Sequence, residues 1–218
     1  MLFRSEAGGG QVAAFARFLS ANHLFFLTLA MAAARSLTEW AGQVPDSSIV
    51  TSMSRNGTAF GVRLDGSLRW FTAEAPEVGH ALYHPGRGPA DGARDIGDSA
   101  VLELCGLGAA AAAGSPAVAQ LLGGSMGAAA ALTERLAGVC AGQSSRFKIP
   151  VLGNAGTPLG VDARKVTEFG TTPAVTTGIL HASAGTGQVG AGVAEAPLAC
   201  FADALTDLDR RLTGPGAA

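Results

Sequence analysis

The chain has 218 residues, 48% of them hydrophobic and 15% charged, which is enough apolar content for a packed core and too much for a disordered chain. A formal net charge of −2 and a pI near 6.1, with no basic stripe, argue against nucleic acid as the main partner. The longest apolar run, Leu24 to Ala34, falls far short of the ~20 residues of a membrane-spanning helix, and Cys105, Cys140 and Cys200 lie too far apart for a disulfide framework or a zinc site.

Residues 12–21 (VAAFARFLSA) form a short helical patch. A second helix follows Asn22, a capping residue, and runs to about Ala41; Gly42 and Pro45 end it. It is apolar nearly all round, so burial among other elements is expected. Strands follow at 48–53 and 59–64, flanking Ser54-Arg55-Asn56-Gly57, whose Asn-Gly pair signals a hairpin. Asp65-Gly66 turns into a third strand at 68–73, completing an antiparallel meander, and a long Pro/Gly loop fills 75–97.

An Ala-rich helix is expected over 99–114, a second from Ser115-Pro116, with Ser as cap and Pro in the first turn, and a third over 126–140. Strands at 148–152 and 174–180, a helical turn at 162–168 and a closing helix at 196–212 complete the pattern, with a frayed tail at 214–218. Strands and helices without regular alternation give an α+β class: an antiparallel sheet packed with apolar helices, Gly-rich loops gathered at one end. The N-terminus does not read as a signal peptide, and three free thiols suit a reducing cytoplasm.

Four motifs carry chemistry. Arg55, beside Asn56, is either part of a plain hairpin turn or a guanidinium that grips carboxylate or phosphate oxygens two at a time. In DIGDSAVLELCGLG, Asp98 precedes Ser99 at a helix start, and Asp95 or Asp98 serves as a cap. Glu103 lies among Val101, Leu104 and Leu107, where a carboxylate is paired or has a raised pKa suited to acid–base work. Asp162 and Lys165 are an i,i+3 surface pair or, for Lys165, an anion contact. The stretch from Thr177 through His181 to Gly185, Gly187 and Gly190 formally holds G-x-G-x-x-G, but no strand with an acid follows, so a dinucleotide fold is rejected. What survives is pure turn chemistry or a glycine loop with N–H groups for an anion. His181 is the best proton-transfer candidate or a structural histidine. His80 and His84 lack a carboxylate helix and precede Pro85, so no metal is expected.

The segments FFLTLAMAAAR, SMSRNGTAFGVRL, RWFTA, DIGDSAVLELCGLG, GTPLGVDARKV, TGILH and GTGQVGAGVAEAPLACF resemble the YlbE/AllG-like family, in its order, over nearly all of residues 22–205. Thr28 and the alanine tract between Gly108 and Gly114 depart from it. The resemblance covers the C-terminal half of family members about twice this long. It implies that residues 1–218 form one domain, with 1–21 and 214–218 peripheral, and that Met1 is an internal start, a fragment boundary or a gene split. It further implies a subunit of a cytoplasmic oxamate carbamoyltransferase in allantoin catabolism, interconverting oxalurate plus phosphate with oxamate plus carbamoyl phosphate. FdrA-like and other complex subunits, a small anionic metabolite and a second copy of the chain are the implied partners. No cofactor is expected. On that reading Arg55, Asn56, Asp98, Ser99, Asp162, Lys165, Thr177, Gly185, Gly187 and Gly190 hold substrate, and His181 or Glu103 moves the proton. The alternative is a non-catalytic scaffold subunit, with helices 99–140 packed on a partner, or a small-anion-binding domain.

Overall fold

The computed structural model describes residues 9–22 and 24–214; the expected fraying at 215–218 lies outside them. In chain order the elements are α1 (Gly9–Ala21), α2 (Phe25–Ala41), β1 (Val50–Asn56), β2 (Ala59–Leu64), β3 (Phe71–Glu74), β4 (Val78–Tyr83) and β5 (Ile96–Gly97). Two short 3-10 helices follow, Ser99–Cys105 and Gly108–Gly114, then α3 (Pro116–Leu121) and α4 (Met126–Ala137). The chain continues through β6 (Cys140–Ile149), β7 (Ala155–Val161), α5 (Ala163–Phe169), β8 (Ala174–Leu180), β9 (Gln188–Glu195) and α6 (Leu198–Thr213). The class is α+β, with every strand pair antiparallel among the described residues.

The strands form one sheet in the order β3-β2-β1-β5, a second in the order β4-β9-β8, and a β6-β7 ribbon. In β2, Phe60, Val62 and Leu64 alternate with Ala59, Gly61 and Arg63, and the first set is buried. They pack on Cys200, Phe201, Ala204 and Leu208 of α6, whose spacing makes one helical stripe. Phe60 and Phe201 have no exposed surface, and burying such a side chain stabilises by roughly 1.5–3 kcal/mol. A second core places Ala109, Ala110 and Ala112 under Leu132 and Leu136 of α4.

Several expectations are corrected. The hairpin is real, but its turn lies two residues later. Arg55 and Asn56 belong to β1, and the Asn56 side-chain oxygen accepts from the Thr58 and Ala59 amides while Gly57 takes φ of 83°. The 75–97 loop contains β4 and β5, because β9 offers β4 an edge that no local pattern reveals. The 99–114 helix is two 3-10 pieces, broken where Gly106 and Gly108 turn left-handed. Leu24, without a side-chain cap, starts α2 in place of Asn22. Only Ala34 and Thr38 of α2 are buried, so the expectation of a helix buried all round fails.

Gly190 and Gly192 are strand residues of β9, not loop residues. A Cβ on Gly192 would lie 2.2 Å from the His80 carbonyl oxygen of β4, so the glycine is required by close strand approach. Because β9 intervenes before α6, the glycine turn at 182–187 opens no helix, and the expected phosphate cradle at a helix N-terminus is absent there.

Candidate functional site

Arg55 projects from β1 to the inner side, next to Met53 of the core, and meets the turn leading out of β5 and strand β8. Its Nε donates to both Asp95 carboxylate oxygens at 3.0 and 2.9 Å. Its Nη2 donates to Ser99 Oγ and to Thr177 Oγ1, each at 3.1 Å. The pair is enclosed, with side-chain exposures of 1% for Arg55 and 0% for Asp95. Nη1 is buried and has no partner among the described residues. Three residues read as substrate contacts, Arg55, Ser99 and Thr177, are thus brought together. They form a buried seam between two sheets rather than an open clamp, because Asp95 already supplies the anion. Asn56 is spent on the hairpin turn.

Glu103 lies one step further along the same seam. One oxygen accepts from the Thr176 amide and hydroxyl at 2.9 and 3.1 Å; the other accepts from the Ala109 and Ala110 amides at 2.7 and 3.4 Å. It therefore caps the second 3-10 helix and fills the free edge of β8. Burial pushes its carboxyl up to about 7, against those four bonds, which favour the charged form. At Gly108, φ is 63° and a Cβ would lie 2.2 Å from Glu103 Oε1, so only glycine lets the chain wrap the carboxylate.

The remaining candidates are held elsewhere. Asp162 caps α5 by accepting from the Arg164 amide, and its ion pair is with Arg164 at 2.8 Å, not with Lys165 as the i,i+3 spacing suggested. Burial alone would raise its carboxyl, but hydrogen bonds from Arg164 and Ser48 outweigh this and hold it below the usual carboxylate range. Lys165 Nζ donates to the Cys140 carbonyl at 2.6 Å. His181 Nδ1 accepts from the Ser183 amide at 2.8 Å, and Nε2 stands 3.5 Å from Asp91. It lies four residues along β8 from Thr177, or roughly 13 Å at strand rise. Gly185 and Gly187, at φ of 84° and 88°, shape the turn beside it. Arg55, Lys165 and His181 thus have separate sets of partners and do not converge on one small anion.

An open groove does exist on the outer side of β1. A cavity of about 310 Å³ is lined by Met31 and Arg35 of α2, Ser52, Met53 and Ser54 of β1, Trp70, and Asp98 and Val101 of the turn that carries Ser99. Strand alternation puts Ser52 and Ser54 on this face and Arg55 on the other. Arg35 donates to Ser52 Oγ and pairs with Glu39, and its side chain remains 41% exposed. Arg63 stacks over the Trp70 ring at 5.5 Å nearby. Burial, then the like charge of Arg35, hold the Arg63 guanidinium below its ordinary value. Sequence reasoning named Asp98 as a substrate contact but did not name Arg35, Ser52 or Ser54, which line the same groove. The usable signal was one arginine in an otherwise apolar helix, with Glu39 four residues on as its only charged neighbour at that spacing.

The cysteines offer no nucleophile. Burial pushes Cys105 and Cys200 up to about 11 and Cys140 up to about 12. Among the described residues no cluster of His, Cys, Asp and Glu could hold a metal ion, and no single helix is long and apolar enough to cross a membrane.

These features define an α+β protein with a charged internal seam and a small polar groove. The model of the family "Oxamate carbamoyltransferase subunit AllG" matches residues 1–99. Oxamate carbamoyltransferase subunit AllG of Escherichia coli K12 is 42% identical over 193 residues, which is 88% of this chain and 46% of that protein. The uncharacterized protein YahG of the same organism is 35% identical over 189 residues, 86% of this chain and 40% of that one. A crystal structure of a conserved protein of unknown function from Enterococcus faecalis V583 superposes with a TM-score of 0.88 at 33% identity, over 94% of this chain and 49% of that one. The chain belongs to the AllG family, and it spans about half the length of the curated relatives it matches.

Proposed function

We propose that the chain forms part of an oxamate carbamoyltransferase subunit and that its groove between α2 and β1 receives the small carbamoyl or carboxylate metabolite. The observation that carries this reading is the 42% identity to AllG over 88% of the chain. The groove supplies suitable groups: the Arg35 guanidinium for a carboxylate or phosphate, the Ser52 and Ser54 hydroxyls for a carbamoyl group, and the Asp98 carboxylate for an amide N–H. Arg55 acts as a positioning residue, since its bond to Ser99 fixes the turn that bears Asp98. Carbamoyl transfer from an activated phosphate needs charge stabilisation and alignment more than a protein nucleophile. That requirement agrees with thiols held protonated. FdrA-like subunits would complete the site, with a cytoplasmic role in purine catabolism.

Calorimetry of the chain with oxalurate, oxamate and carbamoyl phosphate tests this. Heat with at least one ligand, abolished by Arg35→Met and retained by Lys165→Met, is the expected result. No heat with any of them, together with full activity of a reconstituted complex carrying Arg35→Met, refutes it.

A second reading is favoured by the internal engagement of Arg55, Lys165 and His181, which leaves these cationic groups held by the protein's own atoms. On it the chain is a non-catalytic scaffold, and the complex would bind substrate without any contribution from the groove.

A further inference from the structure

Helix α2 has two apolar faces. Leu27, Met31 and Ala34 pack on Val101 and Leu102. The opposite face repeats Phe26, Leu29, Ala33, Leu37 and Trp40 at spacings of three and four, and Phe26, Leu29, Leu37 and Trp40 are 75%, 56%, 62% and 72% exposed. A solvated helix would carry polar residues there. Helix α1 continues the surface: it buries no residue, Phe15 and Phe18 are 57% and 52% exposed, and Phe18 meets Phe25 edge-on at 5.7 Å. At ~150–250 Å² for a large aromatic side chain, the two helices expose on the order of 800 Å² of apolar surface. A typical monomer's largest patch is ~300–600 Å², and one side of a stable interface is about 800 Å².

We infer that the outer face of α1 and α2 is the docking surface for the polypeptide that makes up the other half of the family's length. Two observations name this occupant. The relatives carry as much again polypeptide as this chain spans, and the solved relative does so on the same fold. The family model also matches residues 1–99, so both helices are part of what the family shares. The occupant is apolar and helical or sheet-faced, since the surface offers few charges to pair. The inference stands on family membership and not on the transferase reading.

The test co-expresses the tagged chain with the part of E. coli AllG, and separately of YahG, that this chain does not span. A one-to-one pair by light scattering is expected with at least one of them. Leu29→Glu/Leu37→Glu, at exposed positions, weakens the pair about tenfold or more while the thermal melt of the chain alone is unchanged. Phe26→Glu/Trp40→Glu, on the same stripe, should do likewise. No pair with either piece overturns the inference. So does a homodimer, or binding to phosphatidylglycerol vesicles, that the stripe variants abolish. A pair without transferase activity counts against the proposed function alone.

Discussion

Replacing Asp95 by alanine removes the carboxylate facing Arg55 while leaving the guanidinium enclosed. The pair is buried on both sides, at 1% and 0% side-chain exposure, with Nε between the two oxygens at 3.0 and 2.9 Å. Breaking such a pair costs about 3–5 kcal/mol, because one charge is left uncompensated in a dry site. Domains of this kind are stable by only ~5–15 kcal/mol, so the loss is a large part of the total. With a urea slope of ~2 kcal/mol/M, the midpoint falls by about 2 M. Arg55→Met alone strands the carboxylate and costs a similar amount. The double variant Arg55→Met/Asp95→Leu leaves no buried charge and is expected to be more stable than either single. Equilibrium urea unfolding of the four proteins, followed by tryptophan fluorescence, gives the coupling directly. If the two losses add within about 0.5 kcal/mol, or either single change costs less than about 1 kcal/mol, the seam is not the structural anchor described.

The Glu103 carboxyl, raised to about 7 in the folded chain, keeps its proton where the unfolded chain has released its own. Stability therefore falls as pH rises from about 4.5 to about 7, by on the order of 3 kcal/mol, and is level above that window. Glu103→Gln removes that slope in urea titrations between pH 5 and 7, and an unchanged slope counts against the assignment. Gly108→Ala places a Cβ 2.2 Å from the Glu103 carboxylate at a φ of 63°. It should cost about 2 kcal/mol or more, and a loss below 0.5 kcal/mol is the adverse result, on the order of an ordinary surface change. The thiols, pushed up to about 11 to 12, should resist Ellman's reagent at pH 8 for hours in the folded chain and react within minutes in urea. Rapid native reaction of Cys140 or Cys200 would show that the interior opens.

Local chemistry made much of this fold legible. Ser115-Pro116 starts α3 as its residue types require, the Ser115 Oγ accepting from the Val118 amide, and β8 occupies residues 174–180 as its β-branched run suggests. What failed were places where a distant partner decides. The 140–147 part of β6 (CAGQSSRF) is too polar to read as a strand, and it exists because β7 pairs with it. Glycine-rich GTGQVGAG reads as a loop, yet its second half is β9, the central strand of its sheet, where glycines permit close approach to β4. For the site, Glu103 was singled out as a carboxylate in an apolar run and Arg55 as a forked cation in the hairpin segment, and both lie buried in the seam. The sequence could not tell an arginine that faces ligand from one that faces Asp95, forty residues away.

The two buried charges act on adjacent residues of β8, and that adjacency explains why ionic groups are used where apolar ones would pack. Thr176 is gripped by Glu103 and Thr177 by Arg55, and alternate strand residues face opposite sides. β8 is an edge strand. Its outer side is paired at the end by the Gly92–His181 bridge, with the Ala93 amide donating to the Leu180 carbonyl and the Ala182 amide to the Asp91 carbonyl. Further along, the Thr176 amide has Glu103 as its partner on that edge. A slip of one residue in one direction offers Val175 to Glu103; in the other it offers Gly178 to Arg55. Either way a buried charge loses a hydroxyl partner and gains none. Apolar contacts would tolerate such a slip far better, since Val175 and Thr176 are nearly the same shape. The charges therefore reinforce, at some expense in stability, the register that the Gly92–His181 bridge sets. Through Ser99 they also fix the turn that carries Asp98 to the groove.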